Sequence, residues 1–437
     1  MLSSNSHVFS RLFERENIYF VLAFALRAFL SFAGLGYRLE NRIEIATPFN
    51  SWKRVKEGVA LKSAGISPYQ GDTVHSNPIL LLIFETLMHR GIVITQFVFF
   101  MTDLLAAHFL AKAVVAFRRE ELEKEKEEKS NYAKDVEPLL LEGSDSSRIG
   151  RIVLITYLFN PLTVLSSVAM TLTTFGNFIV TLALYLSISG SKTLCFVVLA
   201  FATVTDVYPA IFIVPLLVSM YTQGALTIAR SALTYIFSAL AFIYLSYMAA
   251  ASDWSFLSNT FGSLFTLSDL TPNVGLFWYY FAETFEHYRL FFLCVFHLSF
   301  LTYALPISVC LRDDRFTACF FMLFVITLFK SYPSISDAAV YSSLLPAFSH
   351  LFYYVRYGLP VTCTIITCSA LSCIMWHLWI EQGSANANFF FAVTLAYAVA
   401  QIFLMTGLFY AYVRRRFHLK HGMKMLIDGE EAIPILD

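Results

Sequence analysis

The chain has 437 residues, of which 57% are hydrophobic, only 14% are charged and 44 are Phe. Soluble domains carry about 25% charge, so a mean hydropathy of +0.63 excludes an ordinary soluble enzyme and identifies a polytopic membrane protein. Lys and Arg (31) balance Asp and Glu (31) to a formal net charge of zero, which argues against nucleic acid as a partner.

About 20 apolar residues cross a bilayer as a helix. The first apolar run, residues 17–36, has no small-residue cleavage site, so it is expected to be a span rather than a removable leader. It carries Arg27 in its interior. Residues 37–91 are a polar loop ending in a short apolar stretch, 78–88, that suggests a half-helix. A second span is expected at 92–117, followed by the charged loop 118–150. The alternating acids and bases of that loop suggest a solvated helix and then flexible chain. Further spans are expected near 152–169, 172–188, 192–205, 209–222 and 228–251. Beyond a polar and aromatic segment at 252–288, more follow near 289–310, 316–330, 336–355, 359–380 and 389–413, with a tail at 414–437. The fold class is therefore all-α, a single membrane domain of about twelve transmembrane helices. The count falls to ten if the short pair 192–205 and 209–222 only dips in.

Basic residues near span ends favour the cytoplasm. In the twelve-span count Arg118-Arg119, Arg312, Arg315, Arg356 and Arg414-Arg415-Arg416 fall on one side, so that side and both termini are predicted to be cytoplasmic. The opposite, luminal side then receives 37–91, 252–288, 331–335 and 381–388. Lys53, Arg54 and Lys56 run against this segregation. The cysteines, Cys195, Cys294, Cys310, Cys319, Cys363, Cys368 and Cys373, lie in or beside apolar runs and read as small hydrophobes. No histidine or cysteine spacing suits a metal, and no cofactor motif is present.

Candidate chemistry therefore collects on the luminal side. In 268–292 a turn at Thr271-Pro272 is followed by a helix expected to start near Gly275 and to carry Glu283, Glu286 and His287 on one face. With Asp269 they form a polar cluster that is either structural or lipid-facing. Lys330 and Asp337 flank a Tyr-Pro turn and are expected to pair or to snorkel. Between Trp379 and the last span, Gly383-Ser384 makes a turn, with Asn386 as the expected N-cap of a helix carrying Asn388 and Phe389. A helix start suits phosphate or sugar hydroxyls.

In the first luminal loop, Ser67-Pro68-Tyr69, then Asn77-Pro78 and an apolar run, resemble the corresponding loop of lipid-dependent glycosyltransferases of the GT-C type, GPI mannosyltransferases in particular. Those enzymes place closely spaced acids early in the loop to hold metal or act as base. Here that place holds Glu44 alone, which is expected to be a solvated residue. An active dolichol-phosphate-mannose-dependent mannosyltransferase would need Glu44, or a distant acid such as Asp72, to take over.

Four longer blocks carry a closer resemblance. They are Asn50 to Val55 with Gly65-Ile-Ser67-Pro-Tyr69; SDLTPNVGLFWYYFAETFEH from Ser268; FKSYPSISD from Phe329; and WHLWIEQGSANANFF from Trp376. Together they resemble the class U phosphatidylinositol-glycan proteins, the polytopic subunits of GPI transamidase, from about Glu44 to Gly422. The resemblance implies a non-catalytic subunit in the endoplasmic reticulum membrane. It would bind the GPI lipid and organise the membrane part of a complex whose caspase-like catalytic subunit carries the reactive cysteine. Lipid contact is implied for Asn386 and Asn388, with Ser384, Phe389 and Trp379 beside them.

Overall fold

The computed structural model describes residues 2–141, 146–424, 426–427 and 430–431. It is built of helices, apart from a two-residue antiparallel pairing of Leu426–Ile427 with Glu430–Glu431. Among the described residues five helical stretches are long and apolar enough to cross a membrane: Ile92–Asn131, Ala225–Ala249, Glu286–Cys310, Gly358–Glu381 and Ala387–His421. A sixth is the pair Ser146–Leu158 and Pro161–Val168, bent by 46° at Asn160-Pro161. Asn160 caps the second half through Leu162 N–H, and Pro161 sits at the first helical position, where it loses no hydrogen bond. Shorter apolar helices are Thr173–Ile188, Lys192–Thr205, Tyr208–Val218 and Arg315–Phe329.

The expected half-helix is Pro78–Arg90, capped by Asn77, and the loop before it holds the helix Trp52–Ser63. Besides the bent pair, two further predicted spans are not continuous α-helices. Residues 208–218 open as a 3-10 turn around Pro209 before one α-helical turn and a half. Residues 335–354 run as 3-10, α and 3-10 pieces, with Pro346 entering the last piece and Phe348 leaving helical geometry. Proline withholds the donor a continuous ladder requires. The predicted solvated helix after 118 is the continuation of Ile92–Glu128; residues 142–145, and the tail from 425 apart from the paired strands, lie outside the described residues.

Burial divides the apolar helices into two kinds. Arg315–Phe329 is buried at every position from Phe316 to Thr327 and forms the axis of the main core, with Leu110, Tyr157, Leu199 and Phe348 around it. Ala225–Ala249 is the reverse: Leu226, Phe237 and Tyr244 are exposed while Ser231 and Ser246 are buried. A helix that turns small polar residues inward and apolar ones outward has hydrocarbon as its solvent. Inside the core, Arg27 Nη2 and Nε lie 2.6 and 2.9 Å from Asp103 Oδ2, and Arg27 also donates to Ser167 Oγ, Ala23 O and Leu158 O. Both charges are almost wholly buried.

Polar segments meet in two groups of contacts. In one, Arg315 pairs with Glu120, Arg415 with Glu125 and Arg416 with Asp313. In the other, Ile335 N–H donates to Glu44 O, Ser67 to Asp253, the Tyr332 hydroxyl lies at Asp269 N, and Tyr279 meets Asn388.

Candidate functional site

The turn before the last helix is assembled from its own backbone. A π-helical turn, His377–Glu381, ends the preceding helix, and Ser384 N–H and Ala385 N–H both donate to Leu378 O. The Ser384 hydroxyl adds a bond to the same carbonyl. Gly383 takes φ +65°, a left-handed conformation that favours glycine. Asn386 then caps Ala387–His421, its Oδ1 accepting from Asn388 N–H and Phe389 N–H, as the sequence predicts. No described residue accepts from the side-chain NH2 of either asparagine.

A second segment arrives here from elsewhere in the chain. The short helix Phe277–Glu283 brings Tyr279, whose hydroxyl donates to Asn388 Oδ1 at 2.6 Å, and its ring stacks on Phe391 at 4.2 Å. Trp278 lies against Trp379, Phe390 and Phe391, and Trp376 closes the group against Trp379 and Phe390. Trp278 Nε1 is buried and has no hydrogen-bond partner among the described residues. Phe389 is 56% exposed at the edge of this aromatic floor. Asn386, Asn388, Ser384, Phe389 and Trp379 therefore do share one place. Trp278 and Tyr279 complete it, and the sequence signal for them was only their aromatic character in a polar segment.

The predicted cluster at 269–287 is not formed. The helix starting at Phe277 stops at Glu283, Thr284 and Phe285 are extended, and a new helix starts at Glu286. Glu283 is consequently not on one helix face with Glu286 and His287. Glu286 occupies the first turn of the next helix, where a carboxylate suits the dipole. All three side chains are exposed, Glu283 and Glu286 have no ion pair among the described residues, and His287 packs on Phe285 and Tyr288. Asp269 instead closes a local turn, accepting from Thr271 N–H and hydroxyl.

Glu44 is not a solvated loop residue either. It is 1% exposed and forms an ion pair with Arg42 at 3.0 Å. Of the nearby cations, Lys56 pairs with Glu40, Lys62 with Glu85 and Arg54 with Glu57.

Lys330 is paired as expected, but with two partners. Its Nζ lies 2.8 Å from Asp206 and 3.0 Å from Asp337. Asp337 also closes a capping box with Ser334. Asp206 was missed in the sequence; the available signal was an acid standing alone between two apolar runs. These groups border a cavity of about 120 Å3 shared with His75, Phe49 and Tyr332. No group of three or more His, Cys, Asp or Glu among the described residues has the arrangement of a metal site.

Comparison with known proteins covers up to 95% of this chain. Residues 21–397 match the family described as GPI transamidase subunit PIG-U. The chain is 36% identical over 430 residues to the GPI-anchor transamidase component PIGU of Homo sapiens, and likewise to that of Mus musculus, spanning 95% of this chain and 98% of each relative. It is 31% identical over 387 residues to the GPI transamidase component GAB1 of Saccharomyces cerevisiae, 88% of this chain and 90% of that protein. By the match over residues 21–397 and the 36% identity over nearly the whole length of its relatives, the chain belongs to the family of the GPI transamidase subunit PIG-U.

Proposed function

We propose that this chain is a non-catalytic subunit of GPI transamidase in the endoplasmic reticulum membrane. It holds the GPI lipid at the 384–391 turn and organises the other membrane subunits around a caspase-like catalytic chain. The observation that carries the lipid reading is the convergence of Tyr279 on Asn388 beside an exposed Phe389 and a buried, unpartnered Trp278 Nε1–H. Asn386 and Asn388 spend their carbonyl oxygens on the cap and on Tyr279, so their amide NH2 groups are left as donors suited to phosphate or sugar oxygens. The surrounding rings suit acyl chains and the membrane boundary.

The topology that goes with this reading has both termini and 118–150 cytoplasmic, with 37–91, 252–288 and 381–388 luminal. The ion pairs joining residues 120–125, 313–315 and 415–416 support a common side for those segments. Each of the twelve predicted apolar stretches is helical at least in part, which supports about twelve crossings on a GT-C-like frame. Glu44, the acid at the catalytic place of that frame, is held in an ion pair with Arg42, and this weighs against an active mannosyltransferase.

The test is the double change Asn386→Leu with Asn388→Leu in cells lacking the native chain. Two lost bonds weaken lipid binding by roughly one to two orders of magnitude. GPI attachment to a reporter should fall accordingly, with complex abundance nearly unchanged. Normal attachment at normal abundance would sink the reading.

A further inference from the structure

We propose that the cavity bordered by Asp206, His75 and Asn177 is a second binding site, one that takes a primary ammonium group on a short stem. It lies apart from the 384–391 turn, none of whose residues lines it. Its volume of about 120 Å3 compares with roughly 10–15 Å3 needed to seat one water on the same measure. The space therefore admits a small organic group.

The charge balance sets the sign of the occupant. Lys330 stands between two carboxylates, so the three groups together keep one negative charge. Asp337 is the saturated partner. Its Oδ1 accepts from Lys330 Nζ, its Oδ2 accepts from the Ser334 N–H and hydroxyl, and its side chain is 9% exposed. Asp206 is the unsaturated one: Oδ2 accepts from Lys330, while Oδ1 has no donor among the described residues. Its side chain is 33% exposed and lines the cavity, which is where the excess charge is presented. Asp72 and Asp269 add negative potential at His75, and the opposing Arg54 is paired with Glu57. An anion is repelled there and a cation is drawn in.

The neutral lining groups narrow the cation to one that donates hydrogen bonds. His75 is 5% exposed and places its Nδ1 2.7 Å from Asn259 O. A carbonyl only accepts, so Nδ1 carries the proton and Nε2 of the neutral ring is an acceptor. That Nε2 has no partner among the described residues, and His75 lines the cavity. Asn177, 8% exposed, lines it too. Apart from an approach to the Tyr157 hydroxyl, its amide has no partner among the described residues. Buried polar groups are normally paired. A primary ammonium has three donors and no acceptor, which suits a carboxylate oxygen, an imidazole nitrogen and an amide oxygen. A quaternary ammonium brings the charge without donors and leaves all three unmet. Leu80, Phe175, Ile179, Val180 and Leu264 line other parts of the cavity and suit the stem.

The ammonium belongs either to a lipid headgroup or to a free amine, and one experiment separates them. The full chain, purified within its complex, is titrated with ethanolamine, n-butylamine and dihexanoyl phosphatidylethanolamine. Choline, n-butanol and butyrate serve as quaternary, neutral and anionic controls. Binding is read by saturation-transfer NMR and by the shift in thermal unfolding. Saturable binding of the primary amines is expected, with the three controls at least about tenfold weaker. The short-chain lipid binding more tightly than ethanolamine identifies a headgroup source, and equal or weaker binding a free amine. Asp206→Asn removes the excess charge, leaves Lys330 paired with Asp337, and should weaken binding at least about tenfold. His75→Phe keeps a ring in the stack, deletes the Nε2 acceptor, and should weaken binding roughly two- to tenfold. Gly176 lines the cavity where an added Cβ meets nothing within 4 Å, so Gly176→Leu fills the space and should abolish binding. Controls that bind as well as the amines overturn the proposal. So does amine binding unchanged in the folded Asp206→Asn or Gly176→Leu chain, or no saturable amine binding at all. The asparagine double variant should bind these amines normally, which keeps failure here distinct from failure of the lipid reading.

Discussion

Tyr279 and Asn388, 109 residues apart in the chain, are joined by a 2.6 Å hydrogen bond from the phenol to the amide oxygen. The bond fixes the orientation of the Asn388 amide, so that its NH2 faces away from the phenol. It also seats the Tyr279 ring on Phe391. Tyr279→Phe retains the ring and frees the amide. The expected outcome is a several-fold loss of GPI attachment, from about 1 kcal/mol of lost hydrogen bonding, with unchanged complex abundance. Attachment at the wild-type level would show that the amide needs no orientation.

The Arg27–Asp103 pair is another long-range polar link, and both side chains are almost wholly buried. Removing one partner of a buried pair costs about 3–5 kcal/mol, while replacing both by apolar groups is often neutral. Arg27→Met alone should therefore lower the thermal midpoint and the abundance of the chain sharply. Adding Asp103→Leu should recover much of the loss. A double variant no better than the single would show that the arginine acts through Ser167, Ala23 and Leu158 instead.

Glu283 has no ion pair or hydrogen bond among the described residues and is exposed, so Glu283→Ala is expected to leave unfolding of the isolated chain within about 0.5 kcal/mol of wild type. The measurement is the midpoint of the purified chain without its partners. A clear drop would mean the carboxylate carries a contact inside the fold. Reduced complex recovery with an unchanged midpoint would instead locate it at a subunit contact.

His75 makes stability depend on pH. Its Nδ1 lies 2.7 Å from Asn259 O, and its ring is stacked on Phe49. Burial lowers its pKa below the ordinary 6.5, against the bond to Asn259 and the charges of Asp269 and Asp72, while Arg54 lowers it further. The unfolded chain then binds more protons than the folded one between the two pKa values. The stabilisation is complete above pH 6.5 and is lost as pH falls through the lower, folded value. His75→Phe keeps a ring in the stack and cannot titrate. Thermal midpoints measured between about pH 7.5 and 5 should slope less for this variant than for wild type. Equal slopes would assign the acid sensitivity to other groups.

Class, helix content and the main polar segments were legible from the sequence, because each depends on neighbours along the chain. Apolar runs, the Asn77-Pro78 start and the Asn386 cap are decided within a few residues by burial and by free backbone N–H groups. The same local logic failed where the chain breaks and restarts. Glu283 and Glu286 have helical spacing, yet two extended residues separate them. The 335–354 run is apolar enough to look like one continuous helix, and its proline-marked 3-10 pieces break it up. Tertiary structure alone decided that Tyr279 meets Asn388, that Arg42 pairs with a buried Glu44, that Asp206 joins Asp337 on Lys330, and that Phe49, His75 and Tyr332 stack around a cavity. Each of these is a pairing of buried polar or aromatic groups, whose partners are chosen by which helices pack together. In a chain this uniformly apolar, helix packing leaves little periodic trace in the sequence, because lipid-facing and buried surfaces are built from the same residues.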